Sequence, residues 1–169
     1  GRGGTGGTGP TVRNRRGKGG AMNRYRTSAR VVFGVVFLGG ALVHAYFASF
    51  SPQSYAPFAD TALWPWLADL WRGSVMANIE WLSLVTAAFE LVLGAALLAG
   101  GRAARLAALA ALGFFAFILV LGYSWPAQDP WEDFLKNRAA TVLLASAIAP
   151  VLRAPDGSGP TKGRPSRTV

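Results

Sequence analysis

Three ionisable side chains interrupt long apolar stretches of this sequence: His44, Glu80 and Glu90. A carboxylate costs several kcal/mol to bury in hydrocarbon or in an apolar core unless it is protonated or paired. Ionisable groups at such positions commonly bind a substrate or carry a proton. For Glu90 the sequence leaves two interpretations open: proton or substrate handling, or a protonated or hydrogen-bonded carboxyl group that fixes the register of neighbouring helices.

His44 and Glu80 form a second candidate group. Each lies close to the same end of its apolar block, so their depths match within about one helical turn. A His–Glu pair at this depth would serve as a proton relay, as a hydrogen-bonding site for a quinone, or as a polar clasp between helices. Lys136, Arg138 and Asn78 fall at a similar depth and would alternatively neutralise Glu80.

The composition excludes several kinds of site. The chain has no cysteine, which removes disulfide bonds, thiolate zinc sites, iron–sulfur clusters and CxxC redox motifs. Its single histidine argues against a metal or haem site. No P-loop, GxGxxG, GxSxG or HExxH motif occurs in a suitable context. The sequence therefore indicates no metal ligand and no catalytic residue.

Four apolar blocks give the architecture that must position these side chains. They cover residues 31–50, 75–99, 106–123 and 134–152, and a helix needs about 20 apolar residues to cross a bilayer. Short connections favour antiparallel neighbours. The sequence therefore predicts an all-α fold, a bundle of four transmembrane helices running up-down-up-down, within a membrane domain of residues 29–153.

The segments on either side of this domain have a different composition. Residues 1–28 are basic and rich in glycine, residues 154–169 are rich in glycine and proline, and we expect both tails to be disordered. Met22 is a plausible natural start, so the sequence does not establish that residues 1–21 belong to the natural protein.

The basic residues predict the orientation in the membrane. Of the 17 lysines and arginines, fourteen lie before residue 31, between residues 99 and 105, or after residue 152, and three lie in the other connections. The positive-inside rule places the first group in the cytoplasm. We therefore expect a multi-pass protein of the cell inner membrane with both termini cytoplasmic. The formal charge of +9 reflects contact with the lipid bilayer and not with nucleic acid.

Glu90 should lie near the middle of the bilayer. It is nine residues from Ala99, hence roughly 13 Å from that end of its helix at ~1.5 Å per residue. Small and weakly polar residues, typical of contacts between membrane helices, share its helical face: Ser83, Ala87 and Gly94. Glu90 should therefore point into the bundle, where Gly39, Gly40 and Ser146 fall at comparable depth.

Aromatic residues are concentrated in the two connections opposite the cytoplasmic turn. Within residues 59–74, apolar side chains recur at helical spacing, which predicts a short helix lying in the membrane interface in the first outer loop. The aromatics would form either a belt at the bilayer surface or a lid over an outward-facing pocket. These interfacial aromatics are Trp64, Trp66, Trp71, Trp125 and Trp131.

The stretch FELVLGAALLAGGRAARLAAL, residues 89–109, resembles the signature between the second and third helices of DoxX-like membrane proteins. That signature combines a glutamate, an apolar run with a glycine, a glycine turn and an arginine. The first helix, with Arg30 before a run of small residues, is also similar, and the resemblance extends over roughly residues 27–153. The matching residues of the signature are Glu90, Gly94, Gly100 and Arg102.

The resemblance implies a four-helix integral membrane protein linked to redox work, since members of that family accompany thiosulfate:quinone oxidoreduction, thiol-stress and methylamine-oxidation systems. It implies an accessory or quinone-proximal subunit, with a quinone as its ligand and a redox protein as its partner. Any enzymatic activity would belong to the oxidoreductase complex. The segment 49–73 is longer than a minimal connection, and it leaves the substrate and the partner undetermined.

Two alternatives stay open. One is a small proton-coupled transporter that uses Glu90 and His44, and the other is a purely structural membrane partner protein. An aromatic-lined cavity reaching Glu90 would favour the quinone interpretation. A hydrated path from Glu90 to Glu80 or His44 would favour transport, and a tightly packed interior with Glu90 hydrogen-bonded would favour the structural role.

Overall fold

Every element of regular structure in residues 13–153, the range that the computed structural model describes, is helical. Side chains are described from residue 20 onward, and the predicted tails at residues 1–12 and 154–169 lie outside the described residues. A fourth span would consist of two shorter helices that meet at a bend of 44°. Three helical runs are long and apolar enough to cross a membrane by themselves: Gly20–Phe50, Pro65–Ala99 and Gly101–Leu121.

Helix α1 covers Arg13–Phe50 and has 38 residues, about 57 Å at 1.5 Å per residue. It begins before the apolar block 31–50, so residues 13–28, which we expected in a disordered tail, are helical. Helix nucleation is costly, whereas propagation adds one hydrogen bond for each residue fixed. A helix nucleated by the apolar block can therefore extend into the polar residues that precede it.

The connection after α1 is helical along most of its length. A 3-10 helix covers Pro52–Thr61. Helix α2 covers Pro65–Leu70 and has proline at its first position, where the missing N–H costs little; it corresponds to the short helix predicted in this loop. A π-helical turn at Trp71–Val75 and a 3-10 turn at Met76–Asn78 join α2 to α3, which covers Ile79–Ala99.

A two-glycine turn reverses the chain between α3 and α4, which covers Gly101–Leu121. Gly100 has a φ of +83° and Gly101 a φ of +59°, conformations that residues with a Cβ rarely adopt. The Arg30 guanidinium packs where a Cβ on Gly100 would lie. The turn therefore contacts α1, through Arg30, in addition to joining α3 to α4.

The last apolar block forms two helices and not one. Helix α5 covers Pro130–Asn137, and α6 covers Ala139–Ile148 with a 3-10 turn at Ala149–Leu152. Between them Arg138 departs from helical geometry, with φ −134° and ψ −34°. The single helix expected at residues 134–152 is therefore bent at this residue.

Helix α1 packs most extensively on α3. The two approach closely because Gly34 and Gly94 face each other: a Cβ on Gly94 would lie 2.8 Å from the Gly34 carbonyl oxygen. We call the half of the bundle that contains the Gly100 turn the Gly100 end. The other half, which contains residues 51–78 and 122–138, is the loop end. One cluster of buried apolar residues fills the Gly100 end: Phe33, Phe37, Leu93, Leu97, Ala104, Ala107, Ala108, Ala111, Phe115, Ile148 and Val151.

Candidate functional site

His44, Tyr55 and Ser83 form a hydrogen-bonded chain near the loop end. The Tyr55 hydroxyl bonds to His44 Nδ1 and lies 2.7 Å from Ser83 Oγ. The Ser83 hydroxyl donates to the backbone carbonyl of His44 at 2.8 Å. The imidazole and phenol rings are nearly parallel, with 7° between their planes. These hydrogen bonds thus connect α1, the 3-10 helix and α3 at one point.

The direction of these hydrogen bonds assigns the protons. A backbone carbonyl only accepts, so the Ser83 proton is used there and the Tyr55 phenol must donate to Ser83. His44 Nδ1 must then donate to the Tyr55 oxygen. Burial raises the pKa of the Tyr55 phenol, which keeps this donor protonated. In a neutral imidazole, Nε2 of His44 is therefore the accepting nitrogen.

Nε2 of His44 faces Glu90. It lies 3.8 Å from Glu90 Oε2, which is close for two ionisable groups but too long for a direct hydrogen bond. Glu90 is only 6 % exposed, and its Oε2 is buried without a hydrogen-bond partner among residues 20–153. A buried polar atom left unpaired costs about 1–3 kcal/mol. This oxygen therefore lacks a hydrogen bond that an atom of a ligand would supply.

Gly40 provides the space for the Glu90 carboxyl group. A Cβ on Gly40 would lie 3.0 Å from Glu90 Cδ and closer still to Oε2, whereas a Cβ on Gly39 would meet nothing within 4 Å. Of the two glycines predicted at this depth, Gly40 therefore faces the carboxyl group and Gly39 points away. The α3 face predicted to be internal is buried as a set: Ser83, Ala87, Glu90 and Gly94.

His44 pairs with Glu90 in the structure. The pairing of His44 with Glu80, predicted from depth alone, is not observed. Ser83 contacts the His44 backbone, so Glu90 is seven residues, roughly 10 Å, further along α3. Helical side chains tilt toward the N-terminus of their own helix. Because α1 and α3 are antiparallel, the tilts bring the His44 and Glu90 side chains toward each other. Glu80 is exposed at the start of α3.

A cavity of about 440 Å³ lies between α3 and α4 and reaches this pair. Sites for small molecules usually have a volume of roughly 300–1,000 Å³, mainly apolar walls and a few polar groups. Hydroxyl, imidazole or carboxyl groups come from six lining residues: His44, Tyr55, Ser83, Thr86, Glu90 and Tyr123. Aromatic rings supply much of the remaining wall: Phe58, Trp71, Phe114, Phe115, Phe117 and Tyr123.

The cavity opens onto the outer apolar surface of α3 and α4. Two residues that line it, Val85 on α3 and Phe117 on α4, are 54 % and 45 % exposed. Both belong to helical runs that are apolar enough to cross a membrane. An apolar molecule thus has a route to His44 and Glu90 that passes between hydrophobic side chains.

Trp71, predicted among the interfacial aromatics, is buried. Its Nε1 donates to the Tyr55 carbonyl at 2.8 Å, and its ring packs against Phe58 and Phe117. A buried indole with a partner for its N–H stabilises this wall of the cavity. The other four tryptophans of that group are exposed: Trp64, Trp66, Trp125 and Trp131.

Neither Lys136 nor Arg138 contacts Glu80. Arg138 is buried and pairs with Asp133, and Lys136 pairs with Glu132 at 2.6 Å. Both carboxylates lie on α5, so each basic side chain pairs with a carboxylate four or five residues before it and not with the distant α3. Lys136 and Arg138 therefore do not neutralise Glu80, the alternative that their depth suggested.

Asn137 anchors the segment before α5. Its Oδ1 accepts from the backbone N–H groups of Tyr123 and Trp125 at 3.1 and 2.9 Å, and its Nδ2 donates to the Trp125 carbonyl at 2.8 Å. This fully buried amide fixes Tyr123, which lines the cavity. The bend at Arg138 thus comes directly after Asn137, whose side chain holds the backbone of Tyr123 and Trp125 at the loop end.

The remaining residues of the DoxX-like signature are placed in the packing of the helices or at their surface. Gly94 lies in the contact of α1 with α3, Gly100 forms the turn, and Arg102 is exposed. Ser146, which the sequence placed at the depth of Glu90, is exposed and donates to the Val142 carbonyl of its own helix.

Tyr55 is the site residue that sequence reasoning missed. It lies in the connection between two apolar blocks, where helical periodicity carries no information about which residue folds back onto the bundle. A local signal is Pro52, which starts the 3-10 helix that returns the chain toward α1. Within residues 20–153, no group of three or more histidine, aspartate or glutamate side chains is placed to hold a metal ion.

A scan against protein-family models and searches of curated proteins and of solved structures find no match to this chain.

Proposed function

We propose that this chain is a DoxX-like, four-helix protein of the bacterial inner membrane that binds a lipid-soluble quinone and acts as an accessory subunit of a membrane redox system. The aromatic cavity that reaches Glu90 and His44 from the apolar surface of α3 and α4 carries this proposal. A quinone headgroup is a flat apolar ring with polar oxygens at its edge. It needs apolar walls and one or two polar partners, which is what this cavity offers.

In this proposal α5 and α6 together form the fourth span, and the helices run up-down-up-down. The 14-to-3 distribution of basic residues supports a cytoplasmic Gly100 end and an outward-facing loop end. The exposed tryptophans support placing the loop end at an interface between bilayer and water, where tryptophan is enriched.

The His44–Glu90 pair gives the site its proton chemistry. One proton held between Nε2 and Oε2 gives either a neutral imidazole with a carboxylic acid or an imidazolium with a carboxylate. Quinones exchange protons together with electrons, so a site that alternates between these states suits them. The partner protein would supply or remove the electrons.

Proton-coupled transport is the second candidate function. It is favoured by the line of ionisable groups that runs from Glu90 through His44 to Tyr55 and so toward the loop end. The purely structural role has less support, because a hydrogen-bonded Glu90 would favour it and Oε2 has no partner among the described residues.

Purification in a mild detergent, followed by extraction and chromatography of bound lipids, tests the quinone proposal. We expect a quinone enriched per mole of protein over the solubilised membrane, together with a redox protein that co-purifies. If neither is enriched, the redox function is wrong. A proton flux in proteoliposomes that Glu90→Gln abolishes, and Glu80→Gln does not, would then establish transport.

A further inference from the structure

We propose that the cavity binds an aromatic ring that bears a hydroxyl group, the hydroquinone form, in preference to the carbonyl form, with one ring hydroxyl seated between His44 Nε2 and Glu90 Oε2. This inference rests on the proposed function and deepens it, because it names the form of the ligand and the two atoms that recognise it.

The geometry suits a single oxygen atom. Hydrogen bonds to oxygen are commonly about 2.8 Å long, so an oxygen that contacts both Nε2 and Oε2 would see them at an angle of about 85°. The 3.8 Å between the two atoms is therefore spanned by one hydroxyl group. Glu90 Oε2 is itself buried and has no other partner among residues 20–153, so the carboxyl group must turn slightly into the cavity to meet the hydroxyl.

The number of protons decides between a hydroxyl and a carbonyl. Nδ1 of His44 donates to Tyr55, so Nε2 accepts when the imidazole is neutral, and Glu90 is then the protonated donor. A ligand hydroxyl donates to Nε2 and accepts from Oε2. A ligand carbonyl accepts from Oε2 but leaves Nε2 without a donor.

The same preference holds when the proton lies on His44. Imidazolium Nε2 then donates, and the Glu90 carboxylate accepts. A hydroxyl accepts from Nε2 and donates to Oε2, whereas a carbonyl satisfies Nε2 alone and leaves the carboxylate unpaired. With one shared proton, a hydroxyl therefore pairs both atoms in either state and a carbonyl pairs one, and an unpaired buried group is costly.

The walls favour an aromatic alcohol over water at this position. A buried water usually makes about three hydrogen bonds, and the pair offers two. Phe114 and Phe115 line the cavity together with Glu90, and the exposed lining residues Phe117 and Val85 flank its opening onto apolar surface. A flat ring that enters between α3 and α4 therefore places its edge hydroxyl against the pair while its face contacts phenyl rings.

Tyr55 and Ser83 are positioning residues in this scheme. They hold the Nδ1 proton of His44, which keeps Nε2 as the acceptor. Without the Tyr55 hydroxyl, the imidazole would be free to carry its proton on Nε2, and a carbonyl would then find a donor there. Loss of this hydroxyl should therefore reduce the preference for a hydroxyl more than it reduces binding.

The test compares 1-naphthol with 1-methoxynaphthalene, which share a ring system but differ in the hydroxyl proton, by titration calorimetry of the protein in nanodiscs against empty nanodiscs. We expect 1-naphthol to bind about tenfold more tightly, the effect of one or two net hydrogen bonds. Glu90→Leu and Tyr55→Phe should bring this ratio close to one. The matched changes at exposed residues, Glu80→Leu and Tyr46→Phe, should leave it unchanged.

Equal affinity of the wild-type protein for the two compounds would overturn the inference, and so would a ratio that Glu90→Leu does not alter. Absence of binding by either compound would overturn it as well. The proposed function is judged separately by the quinone content of the purified protein: a protein that carries a quinone but binds both probes equally keeps the function and loses the preference for a hydroxyl.

Discussion

His44 Nε2 lies 3.8 Å from Glu90 Oε2, although the two residues are offset by about two helical turns along the antiparallel α1 and α3. The tilt of each side chain toward the N-terminus of its own helix brings them together. Gly40, which has no side chain, leaves room for the carboxyl group. The pair thus depends on helix polarity and on one glycine.

Gly40→Ala should displace the Glu90 carboxyl group and lower the quinone content of the purified protein several-fold. The added Cβ would overlap the carboxyl oxygens, and this flexible side chain can rotate away, so the fold should be retained. Chromatography of extracted quinone measures the effect. Gly39→Ala is the matched control, because a Cβ there meets nothing within 4 Å; equal quinone loss in both variants would show that the carboxyl position is irrelevant.

Val85→Trp should close the route into the cavity. Val85 lines the opening, whereas Val92, also exposed on α3 at 65 %, is not among the residues that line it. An indole at residue 85 would occupy the gap beside Phe117, so a quinone added to protein in nanodiscs should bind at least tenfold more slowly. Stopped-flow quenching of tryptophan fluorescence, with Val92→Trp as reference, measures the rate. Unchanged binding kinetics would place the route elsewhere.

Gly94→Ala should destabilise the packing of α1 against α3 by about 1–3 kcal/mol, the usual cost of overpacking a tight contact. The Cβ would lie 2.8 Å from the Gly34 carbonyl oxygen, a backbone atom that cannot move aside alone. Denaturation in mixed micelles gives the free energy of unfolding. Gly113→Ala, where a Cβ meets nothing within 4 Å, should be neutral or slightly stabilising; a similar loss at residue 113 would argue against the close contact.

The helices and the buried face of α3 follow from sequence patterns. Apolar runs of sufficient length predict spans, and a spacing of three or four residues groups Ser83 and Glu90 on one buried face. These are local properties of a single helix, so the sequence alone is enough to find them.

The contents of the site depend on non-local contacts. The partner of His44 is set by the tilt of side chains on two different helices. Tyr55 reaches the site because the ten-residue 3-10 helix that carries it folds back onto the bundle. Trp71 looked like other tryptophans in a loop but is buried by contacts with Phe58 and Phe117. Arg138 is likewise captured by a carboxylate of α5. No periodicity within one segment encodes such pairings.

The absence of cysteine from the chain makes the orientation directly measurable. Ala103→Cys near the Gly100 turn and Ala127→Cys near the loop end both change exposed residues. A membrane-impermeant maleimide should label residue 127 in cells whose outer membrane is permeabilised, and residue 103 only after the inner membrane is opened. The reverse pattern would contradict the proposed orientation.

The most direct test is photoaffinity labelling with an azidoquinone, followed by mass spectrometry of the labelled peptides. If the cavity is the quinone site, the label should fall within two segments that contribute to its lining. One is residues 79–90 of α3, and the other is residues 114–123, at the C-terminal end of α4 and just beyond it. Excess unlabelled quinone should suppress the labelling, and Glu90→Leu should weaken it while Glu80→Leu should not. Labelling spread over exposed apolar faces, unaffected by competitor or by Glu90→Leu, would contradict a quinone site at the His44–Glu90 pair.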